Sequence, residues 1–306
     1  MSGFSPRLCR KCLAASIQVD DMIRFARMAY PDYDIFKKSE FTKGYQFGPQ
    51  DAAYRIVVDM IQDGHYVDFI EVLYNDDTFG YRGNRYAFRG LDDVISDVIQ
   101  AGYNFDETTG QFFEDQSQQI SRNWGRLLEG TERQMAILRM DIAGNTILVK
   151  NNPKPLIDKA YNNLREIVTK SIVSRLGRVW IWEGDGLLGA FMVGNYSRSA
   201  IFAGIEILNE MFIYNKTKNP LNAEIRIRIS VNSGDFVYTE DDKKCLKHET
   251  VRKAILLESK AAVPNSLVIS ESLAMSQDQS LLNIFSRVKA IDSNKYRIYQ
   301  VSQANN

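Results

Sequence analysis

From residue 134 onward, short apolar runs alternate with long helical patterns in an order that few folds accommodate. The predicted elements are a strand over Met135–Asp141, a helix that begins after Asn152–Pro153, strands over Val179–Trp182 and Leu187–Val193, a helix over Ser197–Tyr214 and a strand over Glu224–Asn232. This order is that of the ferredoxin-like plan, in which the first strand and the hairpin after the first helix are sheet neighbours. We therefore predict an α+β fold of ferredoxin-like type.

Two aspartates lie at the ends of predicted strands in this region. Asp141 closes the first strand, and Asp185 lies in the hairpin 44 positions further along the chain. Because these strands are neighbours in the predicted plan, both carboxylates can reach one point in space. Mg²⁺ takes hard oxygen ligands, usually one or two protein carboxylates with phosphates and water. The pair therefore predicts a metal site for phosphate chemistry, although an aspartate at a turn and the D-G of a hairpin also have a purely local explanation.

The segment that follows the first predicted strand consists of small and polar residues. Ile142 is followed by Ala143, Gly144, Asn145 and Thr146. Small residues allow backbone N–H groups to approach an anion closely. We predict that this segment presents such groups to a triphosphate.

The first 125 residues follow a different pattern. Helices are predicted over residues 13–30, 52–61, 66–74 and 89–99, and a β-hairpin over residues 103–113. A helix followed by a hairpin can form a winged-helix nucleic-acid reader. However, 13 Lys+Arg stand against 19 Asp+Glu here, and this negative balance argues against a nucleic-acid partner. We predict a small, mostly helical regulatory or interaction domain over residues 1–125 and a catalytic domain over residues 126–306.

The composition is that of a globular protein, with 44% apolar and 25% charged residues. No apolar run approaches the roughly 20 residues that a membrane-spanning helix needs. Met1–Arg10 lacks the apolar segment of a signal peptide, so we expect a cytoplasmic protein without a membrane partner. Cys9 and Cys12 form a single C-x-x-C with no second pair, which favours two reduced thiols over a zinc site.

Four stretches of the second half resemble, in order, the motifs of one family. R-M-D-I-A-G-N-T at Arg139–Thr146 is similar to the F-x-D-I-x-G-F-T of class III nucleotidyl cyclases, and E-G-D-G-L-L-G-A-F at Glu183–Phe191 resembles the second G-D motif of that family. Ile225–Gly234 resembles its L-R-x-G-I-H-x-G strand, and Thr250–Glu258 its V-N-x-A-x-R-x-E helix. The likeness spans about residues 134–301.

This resemblance implies an activity, a cofactor and an assembly. The reaction would convert a nucleoside triphosphate to a 3′,5′-cyclic nucleotide and pyrophosphate. Asp141, Asp185 and the backbone carbonyl of Ile142 would hold two Mg²⁺ or Mn²⁺ ions per site. Because class III sites lie between two catalytic domains and one such domain is present here, the resemblance implies a homodimer with active sites at its interface.

The positions at which the chain departs from the family concern the base and the transition state. Ile181 stands where purine cyclases carry the base-reading lysine or glutamate, and the partner base-reading position falls near Cys245. Arg252 stands at the position of the ribose asparagine, and Leu256 at that of the transition-state arginine. Arg252 is the candidate to replace that arginine across the interface, and Lys289 matches the family's triphosphate lysine.

Several interpretations fit these departures. In the first interpretation, the base is a pyrimidine, as in the Pycsar-type bacterial antiphage cyclases that this domain resembles. These enzymes make cyclic UMP or cyclic CMP. Alternatively, the protein is an adenylate cyclase with atypical base recognition, or a catalytically silent cyclase-like module that binds nucleotide or dimerises. Since both metal aspartates are present, we favour an active pyrimidine cyclase. Its base pocket would need other residues, with Arg252, His248 and Asn145 as candidates.

Overall fold

The computed structural model describes residues 4–39, 47–80, 85–115, 121–286, 288–291 and 294–301. The chain divides into two compact units after Leu127. Each unit encloses a separate cluster of buried apolar side chains. Within the described ranges, no helix has the length and apolar character needed to cross a bilayer.

The described residues of the first unit form six helices and one hairpin. They are α1 (Pro6–Ser16), α2 (Val19–Ala29), α3 (Ile35–Ser39), α4 (Pro49–Gln62), α5 (Tyr66–Phe79), α6 (Leu91–Gln100), β1 (Tyr103–Asp106) and β2 (Gln111–Glu114). The predicted hairpin is confirmed, with Phe105 opposite Phe112 in an antiparallel ladder.

The prediction of one helix over residues 13–30 is wrong, because the chain breaks between α1 and α2. Ile17 and Gln18 both have extended backbone angles, with ψ of 161° and 162°. Asp20 and Asp21 then occupy the first turn of α2, where negative charge interacts favourably with the helix dipole. The apolar spacing runs through both helices, so periodicity alone did not reveal the break.

A buried arginine connects α5 to the hairpin of this unit. The Arg126 side chain is 8% exposed, and its Nη1 donates to Glu71 Oε1 and to the Phe112 carbonyl oxygen, both at 2.7 Å. Its Nη2 pairs with Asp68. The guanidinium therefore holds two carboxylates and a strand carbonyl together.

The second unit is built around a sheet of seven strands. Its elements are β3 (Glu132–Ile142), α7 (Asn145–Lys150), α8 (Lys154–Val173), β4 (Arg178–Glu183), β5 (Gly186–Phe191), α9 (Tyr196–Thr217), β6 (Ile227–Val237), α10 (Asp242–Lys247), α11 (Glu249–Ala261), β7 (Ser266–Ser270), α12 (Glu271–Ala274), α13 (Gln279–Leu282), β8 (Lys289–Ile291) and β9 (Asn294–Gln300). The strand order is β4-β5-β3-β6-β7-β9-β8.

The predicted α+β, ferredoxin-like fold is confirmed. The elements β3, α8, β4, β5, α9 and β6 follow in the expected order, and β3 pairs antiparallel with both β5 and β6. The last of these strands lies further along the chain than predicted, over Ile227–Val237 in place of Glu224–Asn232. The short elements α7, α10, α12, α13 and β8 were not predicted, because three to six residues show no period.

The two faces of the sheet differ in chemistry. One face carries Leu138, Met140 and Ile142 of β3 and forms the apolar core with α8 and α9. The other, which we call the polar face, carries these side chains of β3 and β6: Arg139, Asp141, Arg228, Ser230 and Asn232. Helix α11 packs on the β6 side of the polar face, where Ser230 Oγ donates to the Ala254 carbonyl oxygen at 2.6 Å.

Candidate active site

Asp141 and Asp185 lie at the same end of two neighbouring strands. The ladder between β3 and β5 places Met140 opposite Leu187, so one step further Asp141 is level with Gly186, the residue after Asp185. Asp185 occupies the second position of the two-residue turn between β4 and β5. Gly184, at the first position, has φ of +60°, a value that glycine adopts without strain. The fold therefore brings the two predicted metal aspartates to one corner of the sheet.

The segment after β3 is only partly available for an anion. The N–H of Ala143 donates to the Arg226 carbonyl oxygen at 2.7 Å, so this amide is already bonded. Gly144 precedes α7 with φ of +73°. Asn145 and Thr146 open that helix, and the first N–H groups of a helix have no acceptor within it. Of the predicted segment, the N–H groups from Gly144 to Thr146 therefore have no backbone acceptor among the described residues and are available to a ligand.

A tyrosine adjoins this corner from α8. The hydroxyl of Tyr161 donates to Asn145 Oδ1. Burial and, to a smaller degree, the negative charge of Asp185 raise the pKa of Tyr161 to about 12. The phenol therefore stays protonated as a donor, and the Asn145 amide keeps its Nδ2 hydrogens for other acceptors.

Asp141 takes part in a charged chain across the polar face. Arg228, its cross-strand partner on β6, lies 2.6 Å from Asp141 Oδ2 through Nη2. Arg228 Nε also lies 2.8 Å from Glu258 Oε1 on α11, an ion pair that is not aligned as a hydrogen bond. The pKa of Glu258 is raised, because burial and the Asp141 charge outweigh the effect of the arginines. Arg228 thus links β3 to α11.

Arg139 lies two residues before Asp141 and therefore on the same face of β3. A Cβ added at Gly186 would lie 2.5 Å from Arg139 Nη2, so the guanidinium occupies the space that this glycine leaves. Nε and Nη1 of Arg139 are buried without a hydrogen-bond acceptor among the described residues. The Glu183 carboxylate lies 3.9 Å from Nη1 and is 60% exposed.

The oxygens at this corner fit a divalent cation. Arg228 contacts Asp141 through Oδ2, so Oδ1 is left for a ligand, and the Ile142 carbonyl and the Asp185 carboxylate add hard oxygen donors. Within the described ranges, no group of three or more His, Cys, Asp or Glu side chains is placed to hold a metal. A cation here would have to complete its shell with backbone, substrate and water oxygens, as Mg²⁺ commonly does.

The two positions that correspond to purine-reading residues are buried. Ile181 on β4 is 8% exposed, and Cys245 on α10 is fully buried. Ile181 lies opposite Leu188, which lies opposite Arg139, so these residues form one cross-strand row on the polar face. Neither Ile181 nor Cys245 offers a base the exposed hydrogen-bonding group that a purine-reading residue would provide.

Among the described residues, no ion pair or hydrogen bond joins Arg252 or Lys289 to Asp141 or Asp185. Arg252 is exposed on α11. Lys289 opens β8, four strands away from β3, which corresponds to about 19 Å across the sheet. His248 precedes α11 and accepts a hydrogen bond from the Thr250 N–H at 3.3 Å.

Four residues at this corner were not predicted from the sequence. Arg139 was detectable, because residues two apart in a strand share a face. Arg228 and Glu258 required the register of β6 and the packing of α11, and Tyr161 required the position of α8.

Comparison with known proteins finds likeness in structure alone. No protein-family model matches the chain, and no curated protein matches it. The adenylate/guanylate cyclase/hydrolase from Silicibacter pomeroyi is 21% identical, with a TM-score of 0.47 over 56% of this chain and 99% of that one. The adenylyl cyclase CyaB from P. aeruginosa is 21% identical, with a TM-score of 0.46 over 58% and 98%. The monomeric guanylyl cyclase domain of the RhoGC fusion protein from the aquatic fungus Blastocladiella emersonii is 19% identical, with a TM-score of 0.45 over 56% and 98%.

Proposed function

We propose that the second unit is the catalytic domain of a metal-dependent nucleotidyl cyclase, which converts a nucleoside triphosphate to a 3′,5′-cyclic nucleotide and pyrophosphate. The observation that carries this proposal is the placement of Asp141 and Asp185 at the same end of adjacent antiparallel strands. The four motifs that resemble class III cyclases lie on β3, the β4–β5 hairpin, β6 and α11, and so support it.

The side chains at this corner have distinct roles in the proposed site. Asp141 through Oδ1, the Ile142 carbonyl and Asp185 would hold two Mg²⁺ or Mn²⁺ ions. Bound divalent ions supply positive charge for the triphosphate and favour ionisation of an attacking hydroxyl. Arg228 fixes the Asp141 carboxylate by holding its other oxygen. Backbone N–H groups from Gly144 to Thr146 bind phosphate oxygens.

The cyclisation needs positioning more than covalent help from the protein. The 3′-hydroxyl oxygen of the ribose forms a bond to the α-phosphorus, and the bond from that phosphorus to the bridging oxygen breaks. The hydroxyl proton passes to water, and pyrophosphate leaves with the bonding electrons. Groups that hold the triphosphate in line with the hydroxyl therefore supply most of the rate.

We further propose that the base is a pyrimidine, with UTP preferred to CTP, and that the product is a second messenger in bacterial antiphage defence. The support is chemical: at the purine-reading position, Ile181 is buried and cannot hydrogen-bond a base edge. The antiphage role follows the resemblance to Pycsar-type cyclases.

We propose a homodimer in which each copy completes the other's site. The support is that Arg252 is exposed and that Lys289 lies four strands from β3, so neither is taken up by the aspartates of its own copy; each would act on a nucleotide held by a partner. For the first unit, which spans about residues 1–125, we propose a regulatory or interaction role.

The test is incubation of the full chain with each of the four nucleoside triphosphates and Mn²⁺, followed by separation of the products. Cyclic UMP or cyclic CMP is expected, and cyclic AMP would instead identify an adenylate cyclase. Asp185→Ala should abolish the product, whereas Asp158→Ala, at an exposed position on α8, should not change it. The absence of cyclic product from all four substrates would overturn the proposal, and tight triphosphate binding without turnover would identify a silent module.

A further inference from the structure

Arg139 is a largely buried charge that pairs only loosely, with the exposed Glu183, among the described residues. Its side chain is 12% exposed, and neither Nε nor Nη1 has a hydrogen-bond acceptor among the described residues. A buried donor without an acceptor costs free energy, and the cost is larger for a charged group. The exposed Glu183 at 3.9 Å is too distant for a hydrogen bond and offsets little of this cost.

The other charges of the polar face are already paired with each other. Arg228 contacts both Asp141 and Glu258, so these two carboxylates share one cation. Arg139 influences the pKa of Glu258 through space but makes no ion pair with it among the described residues. Divalent cations at Asp141 and Asp185 would offset both carboxylates, and only the exposed Glu183 would then remain near the positive charge of Arg139. An anion is the ligand that this charge distribution favours.

The surroundings hold the guanidinium beside the metal corner. Gly186 follows Asp185, is level with Asp141, and leaves the space into which Arg139 Nη2 fits. Any side chain at position 186 would displace the guanidinium from this position. A planar guanidinium can donate two parallel hydrogen bonds to a phosphate, which a point charge cannot do.

From this geometry we propose that Arg139 is a direct ligand of the substrate's triphosphate. The guanidinium donates to phosphate oxygens of the nucleotide held at Asp141 and Asp185. The inference rests on the proposed function for the location of the triphosphate, and it assigns this charge to the same copy of the chain as the metal ligands. It also explains why position 139 carries an arginine, although packing alone would favour an apolar side chain there.

The experiment is titration calorimetry of the full chain with inorganic tripolyphosphate in the presence of Mg²⁺, which needs neither a base nor turnover. Arg139→Gln and Arg139→Met should weaken binding by about 10- to 100-fold, the loss expected for hydrogen bonds to a charged group. Arg133→Gln, on the same strand and face but six residues away, is the matched control and should leave the affinity unchanged. Gly186→Ala keeps the charge but displaces it, and should also weaken binding.

A thermal melt separates binding from folding. Because Arg139→Met removes an unsatisfied buried charge, the ligand-free variant should melt no lower than the wild type. Undiminished tripolyphosphate affinity in folded Arg139→Met and Gly186→Ala would overturn the proposal, as would an equal loss in Arg133→Gln or no binding by the wild type. If no triphosphate is cyclised and tripolyphosphate binding still depends on Arg139, the cyclase proposal fails and this one stands.

Discussion

Replacing Arg228 by methionine should destabilise the second unit by isolating Glu258. Arg228 lies 2.6 Å from Asp141 and 2.8 Å from Glu258. Methionine has no charge and leaves the Glu258 carboxylate, whose residue is 4% exposed, without its cation. Asp141 is less affected, because its side chain is 20% exposed and water can solvate it.

The expected loss follows from the burial of the two pairs. Removal of one partner from a buried ion pair typically costs about 3–5 kcal/mol. The Arg228 side chain is 28% exposed, which places the loss for the Arg228–Glu258 pair at the lower end of that range. A partly exposed pair such as Arg228–Asp141 contributes at most about 1 kcal/mol. We expect Arg228→Met to lower the free energy of unfolding by about 3 kcal/mol at pH 7.

The loss should shrink as the pH falls. The pKa of Glu258 is already raised above the ordinary value of 4.5, so the folded state favours its protonated form. The stabilising contribution of Glu258 is fully present below pH 4.5 and is lost as the pH rises through its raised pKa. Arg228→Met removes the strongest influence that lowers this pKa, so the pKa of Glu258 rises further. The pH at which this stabilisation is lost rises with it.

Urea unfolding at pH 7 and at pH 5 measures both effects. In the Arg228→Met background, Glu258→Leu should restore most of the lost stability, because an apolar pair can replace a buried ion pair at little cost. Arg198→Met, which breaks the exposed pair with Asp278, is the control and should change stability by less than about 1 kcal/mol. A loss below about 1 kcal/mol in Arg228→Met, or no recovery in the double variant, would refute this account.

Three further perturbations test other parts of the molecule. Gly177→Ala would bring a Cβ to 2.5 Å from the buried ring of Phe191, so the melting temperature should fall with a loss of about 1–3 kcal/mol; an unchanged melt would contradict that packing. Arg126→Ala leaves two carboxylates beneath the hairpin without their cation and should cost about 3–5 kcal/mol in urea unfolding, whereas a cost below about 1 would show that the buried network is unimportant. Burial raises the pKa of Cys9, raises that of Cys12 to about 12, and keeps all three thiols out of reach, so a thiol reagent at pH 8 should label none of them before unfolding and all three after it. The three are Cys9, Cys12 and Cys245.

The order of strands and helices could be predicted because local sequence patterns determine it. Apolar runs, the signal at Asn152–Pro153 and the short gap between β4 and β5 each act within a few residues. The contacts of Arg228 could not be predicted in this way. They depend on the register that sets Arg228 opposite Asp141 and on the face of the sheet that α11 covers, and both are set by packing between distant parts of the chain. The break between α1 and α2 was missed for the opposite reason, because an unbroken apolar period concealed two extended residues.

The charged residues of the polar face bear on binding of the triphosphate and not on recognition of the base. Its charged residues gather around Asp141, whereas the row that runs from Arg139 through Leu188 to Ile181 becomes apolar within two strands, about 10 Å. A group that binds phosphate oxygens acts equally on every nucleoside triphosphate, since all share that part. The charges near Asp141 therefore set how tightly a triphosphate is held and do not distinguish one base from another. Discrimination between bases therefore has to come from groups outside this row.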